Sequence, residues 1–147
     1  MTLHSRSRIA VASIAVLFAA GATANEVSVA VASGPYAGTY GSKTDVECFH
    51  SKSQEIFAAT FKDWHAQSAR SFRTSGIRVY KPDAPGSKSG ELSVTFGGAQ
   101  ATAQYLVTKI PLTVTPNGKG ADIMGEGNTK DGIKVRVTAK CAEILQL

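Results

Sequence analysis

Cys48 and Cys141 are the only cysteines in this 147-residue chain. They form no C-x-x-C motif for redox exchange, and no second Cys/His pair stands at zinc-ligand spacing. A nucleophilic cysteine would need a base beside it, and a bridge would consume the thiol. An isolated pair of this kind closes a disulfide in an oxidising compartment. The closed loop takes in most of the chain, and the chain-entropy account gives roughly 4–5 kcal/mol for it.

His50 and His65 are the histidines outside the first 24 residues. Their separation does not place them as a metal pair on one helix, and His65 beside Trp64 reads as a rim residue of an apolar stripe. Asp63 and His65 point in different directions on a helix, so no Asp–His relay is expected there. Glu126, Asn128 and Asp131 offer oxygen ligands among glycines, as calcium loops do. Their spacing is not that of an EF-hand and Lys130 sits among them, so a plain hairpin loop is expected. Gly97-Gly98 and Gly118-Lys119-Gly120 fit neither phosphate-loop pattern. No G-x-S-x-G elbow supplies an activated serine. The residues point to a non-enzyme with no cofactor and no metal.

Charge supplies the one functional surface visible in the sequence. Arg70, Arg73, Arg78 and Lys81 fall between Asp63 and Asp83 with no acid among them. Lys134, Arg136 and Lys140 line the polar face of the last long strand. Brought side by side, the two sets would make one basic surface for an acidic protein, an anionic glycan or lipid headgroups. The net charge of +5 includes two arginines of the leader. Without them it is mildly positive, far from a nucleic-acid-binding composition.

The leader itself is residues 1–24. His4, Arg6 and Arg8 precede an uncharged run from Ile9 to Ala20, and Ala22-Thr23-Ala24 ends it with small residues. This is the order of a cleaved secretory signal peptide. The apolar run is shorter than the ~20 residues that span a bilayer, and no later segment comes close. The expectation is a single domain over 25–147, exported to the periplasm or the medium.

A helix is expected from Ser51 to about Ser75. Ser51 and Gln54 have capping-box spacing, no Gly or Pro interrupts the stretch, and Gly76 stops it. Phe57, Phe61, Trp64, Ser68 and Phe72 form its apolar stripe. Strands are expected over Val27–Ala32, Ile77–Lys81, Glu91–Phe96, Ala101–Thr115, Ala121–Gly125 and Ile133–Cys141. Pro111 predicts a bulge, an edge or a break, and Pro116-Asn117-Gly118 a turn.

Segregation of one helix from a run of strands predicts an α+β fold, a long amphipathic helix packed on a curved antiparallel sheet. Its general shape is that of cystatin-like and NTF2-like folds, an analogy of architecture only. The alternative is a small meander β-barrel with one helix, lipocalin-like in its Gly-punctuated hairpins. The expected function is that of a small exported binding protein acting by surface complementarity, as an inhibitor or accessory factor of an envelope or secreted protein. The expected partner is a protein or an anionic envelope component, met through the basic residues and the Asp83–Gly90 loop. The alternative function is a carrier holding a small hydrophobic ligand between helix and sheet.

Overall fold

In a computed structural model that describes residues 24–147, the stretch from Ser51 to Gly76 forms strands and turns, not a helix. The α+β expectation is therefore corrected. The described chain is all-β, and the helix of the barrel alternative is missing as well. The signal-peptide assignment falls on residues outside the described ones, apart from Ala24.

Ten strands follow in order: β1 (Glu26–Val31), β2 (Gly38–Ser42), β3 (Val46–Ser51), β4 (Ile56–Lys62), β5 (Phe72–Tyr80), β6 (Lys88–Gly97), β7 (Ala101–Asn117), β8 (Gly120–Asn128), β9 (Lys134–Cys141) and β10 (Leu145–Gln146). They make one sheet in the order β10-β3-β4-β5-β6-β7-β8-β9-β1-β2, curled into a half-barrel. Strands β3 to β9 run as an antiparallel meander. The β1–β2 hairpin adds beyond β9, and β10 pairs with β3 in parallel.

The physical reason for the misread helix lies in its spacing. A separation of four is close to a helical turn, but it is also even, so it keeps residues on one face of a strand. Phe57 and Phe61 both point into the core from β4. The stripe breaks at Trp64, which is 70% exposed. The local helix-start signal is real but serves a turn. The Ser51 hydroxyl accepts the Gln54 N–H at 3.4 Å. The Glu55 N–H then bonds the Lys52 carbonyl, and Glu55 takes a left-handed φ of 51°. That conformation turns the chain back as the β3–β4 hairpin instead of letting a helix propagate. Asp63 acts likewise after β4, accepting the His65 N–H on its carboxylate at 2.8 Å.

The other strand assignments match the observed strands in place if not in length. β7 runs unbroken through Pro111, and its register against β6 shifts between Gly90 and Leu92. One extra residue is absorbed there, with Lys109 at φ 55°. Of the bulge, edge or break expected at Pro111, the structure has a bulge just before it, while Pro111 itself pairs with Ser89.

The concave face is filled. Val29, Ile77, Val79, Leu92, Val94 and Phe96 are almost wholly buried, as are Ile123, Val135 and Val137. Even Gly125 is occupied territory, because a Cβ there would lie 2.4 Å from Leu112 Cδ2 and 3.0 Å from Leu92 Cδ2. At one end Tyr36 stacks on Phe96 at 4.5 Å, and Tyr40 and Phe61 flank Phe72 at 5.7 and 4.7 Å. Phe61 and Phe72, expected on the helix stripe, thus join Tyr36, Tyr40 and Phe96 in plugging the end of a barrel-like core, where offset and edge contacts add to burial.

Two devices draw the curl together. Cys48 on β3 is bonded to Cys141 at the end of β9. Beside them, the Asn25 side chain donates to the Val46 carbonyl at 3.3 Å and accepts the N–H groups of Ala142 and Glu143 at 2.8 and 3.1 Å. The tail after Cys141 then docks on β3, with the Leu147 N–H bonding the His50 carbonyl.

Candidate binding site

With the concave side packed, the recess with the most varied chemistry is on the outer face of β3 to β6. Strand alternation sends Ala58, Thr60 and Lys62 outward from β4, Thr74, Gly76 and Arg78 from β5, and Glu91, Ser93 and Thr95 from β6. Register aligns them in rungs. Glu47 lies opposite Thr60, Thr60 opposite Gly76, and Gly76 opposite Ser93. The neighbouring rungs are Ala58–Arg78–Glu91 and Lys62–Thr74–Thr95.

Gly76 makes the middle rung a trough. Without a side chain there, the floor drops to the β5 backbone, and the Ser93 hydroxyl leans close, 3.0 Å from where a Cβ would stand. The recess holds about 380 Å³. One side carries Arg78 in an ion pair with Glu91 at 3.2 Å. Tyr80, two residues along the same face, donates its hydroxyl to Glu91 at 2.7 Å. That hydrogen bond to the carboxylate, together with partial burial and the Glu91 charge, raises the Tyr80 phenol above its ordinary pKa of 10.0. Glu91 is thus held from two sides and presents a fixed acceptor. On the other side stands Trp64, with the Lys62 ammonium 3.7 Å from its ring centroid. Such a pair steadies an exposed indole.

The basic residues expected to form one surface are distributed differently. Arg70 lies in the loop before β5, donating to the Pro35 carbonyl with its guanidinium 5.2 Å from the Tyr36 ring. Arg73 sits at the bulged start of β5, where its carbonyl accepts the Asp63 N–H, and Lys81 follows β5 in a left-handed turn. Of these four, Arg78 alone lines the trough. Lys134, Arg136 and Lys140 are on β9, four places from β5 in the sheet. Strands β5 and β9 approach each other across the core, so their outer faces point apart and the two sets do not merge. Glu126 also engages Arg136 at 2.7 Å and Lys134 at 3.8 Å. The Gly125–Gly132 segment is the β8–β9 hairpin with its strand ends. Among the described residues, no group of three or more His, Cys, Asp or Glu is placed to hold a metal ion.

His50 has a more definite setting than its sequence surroundings implied. Nε2 lies 2.9 Å from Asp83 Oδ2 and Nδ1 lies 3.1 Å from Gln146 Oε1. The ring therefore ties β3 to the β5–β6 loop and to the C-terminal strand. Beside it is a smaller recess of about 210 Å³, lined by Phe57, Val114, Ala121 and Ile144. Among the described residues, no serine, threonine or cysteine lines this recess.

No known family model matches this chain, no curated protein matches it, and no solved structure matches it.

Sequence reasoning missed Thr60, Thr74, Gly76 and Trp64 as a group because it placed them on or at the end of a helix. One signal was available. Ser93 and Thr95 alternate with Leu92, Val94 and Phe96, which marks a hydroxyl-bearing outer face.

Proposed function

We propose that this protein is an exported binding protein that recognises an envelope or secreted component through the outer face of β3 to β6. The trough over Gly76 is the observation that carries this reading. It combines a backbone floor, hydroxyls from three strands, a held Arg–Glu pair and an exposed indole on a disulfide-tied sheet. A rigid scaffold of this kind loses little conformational entropy on association. The disulfide is consistent with an oxidising compartment outside the cytoplasm. Together with the leader read in residues 1–24, it supports the periplasm first and the medium second. Among the described residues no helix is long and apolar enough to cross a membrane.

Recognition by net charge has less behind it than recognition by shape and hydrogen bonding. Arg78, Lys134 and Arg136 are each paired with a glutamate, and the trough is lined by Lys62 and Arg78 but also by Glu47 and Glu91. The carrier alternative relies on a pocket between helix and sheet, and its helix is absent.

The test is nuclear magnetic resonance of isotope-labelled protein titrated with soluble fractions from the envelope of cells that make it. Shifts clustered on Thr60, Gly76, Arg78 and Ser93 and on the Trp64 indole support the reading. Shifts clustered elsewhere, or none with any fraction, overturn it.

A further inference from the structure

We infer that the trough takes a neutral oligosaccharide, with a sugar ring against Trp64 and its hydroxyls on Thr60, Ser93 and the Arg78–Glu91 pair. The inference rests on the binding role proposed for this face and names the ligand class.

The chemistry of the lining selects among ligands. Thr60, Thr74 and Ser93 line the recess with Ala58 and Gly76. An apolar ligand or lipid chain would cover these hydroxyls and the paired charges without replacing their water, which is costly. A phosphate or carboxylate would meet Glu47 and Glu91 as well as Lys62 and Arg78. An extended peptide gains affinity on a sheet by adding to an open edge. Here β4, β5 and β6 are each paired on both sides, so their backbone ladder is already used.

A pyranose has the complementary make-up. Its ring carries an apolar C–H face, which packs against an indole, and a rim of hydroxyls that both donate and accept. Lys62 covers one face of the Trp64 ring, and the residue remains 70% exposed, so indole surface is left for a ligand. Ser93 and Thr60 offer hydroxyls that act as donor or acceptor. Arg78 and Glu91 set a fixed donor beside a fixed acceptor, each able to meet a vicinal hydroxyl. The recess volume of about 380 Å³ lies toward the small end of ligand sites, which span about 300–1,000 Å³.

Trp64 is the only tryptophan, so intrinsic fluorescence reads this site directly. Unmodified tetramers of glucose, mannose and N-acetylglucosamine are the probes. The expected result is a saturable change in Trp64 emission with at least one of them. Calorimetry should then show at least a tenfold weaker affinity for Trp64→Ala and for Gly76→Val, with the Trp64→Ala melting temperature unchanged. Gly76→Val fills the floor, while Trp64→Ala alters only an exposed residue, so the pair guards against a folding defect. No emission change with any tetramer, or full affinity in Trp64→Ala, overturns the inference. If the sugars fail while envelope fractions still perturb the trough, the ligand class is wrong and the binding role stands. If both fail, the binding role falls as well.

Discussion

Cys48 and Cys141 are 93 residues apart in sequence, on strands with five others between them in the sheet, yet their Cα atoms lie 5.9 Å apart. The bond joins the two arms of the curl. Replacing both cysteines with alanine should lower the unfolding free energy by about 4 kcal/mol, measured by urea titration. Dithiothreitol should lower the native protein's unfolding free energy by a similar amount and leave the double variant's unchanged. A variant as stable as the native protein would show that core packing alone holds the curl.

Ser75 points into the core between Phe61 and Val94, its register partners, and is 3% exposed. Its hydroxyl is the one buried side-chain polar atom without a hydrogen-bond partner among the described residues. Ser75→Ala removes an unsatisfied group at little loss of volume, so it should stabilise the fold by about 1 kcal/mol. The urea midpoint should rise with an unchanged slope. A fall would mean that the hydroxyl finds a partner in solution.

Tyr105 is buried against the aromatic cluster. Burial first, then the neighbouring Tyr36 and Tyr40, raise its phenol above the ordinary value of 10.0. The folded state therefore holds this proton more tightly than the unfolded chain. The resulting stability is fully present below the unfolded pKa and is lost as pH rises through the folded one. Unfolding free energies measured between about pH 9 and 11.5 should fall with pH. Tyr105→Phe should make that fall shallower. An identical slope in the variant would assign the alkaline loss to other groups, such as Tyr80.

Strands after Gly76 were legible because their alternation admits one reading. In β9, Val135, Val137, Ala139 and Cys141 are buried while Lys134, Arg136 and Lys140 face out. No helical face accommodates that period of two. Ser51–Gly76 was not legible because its cues are degenerate. Phe57 and Phe61 satisfy both periods, and Ser51 with Gln54 makes the same hydrogen bond in a turn as at a helix start. Tertiary pairing decided between them. β4 is hydrogen-bonded along its length to β3 on one side and β5 on the other. A lone helix would need a separate floor for its stripe, whereas β4 buries Phe57 and Phe61 within the sheet.

The basic residues teach a related lesson. Their exposure on alternate strand positions follows from the sequence. Whether Arg78 and Arg136 share a surface depends on strand order and curl, which no local pattern carries.

By itself, the sequence determined the pairing of Cys48 with Cys141, the strands from β6 to β9, a turn at Gly118 and an irregularity near Pro111. These follow from residue chemistry, period and backbone restriction, all of which act locally or, for the bridge, by elimination. Only the tertiary structure decided that β4 and the start of β5 replace a helix, and that Trp64, Gly76, Ser93 and Glu91 meet on one outer face. The physical reason is that an outer face is assembled across strands by hydrogen-bond register. Register sums many long-range pairings, and no single segment encodes it.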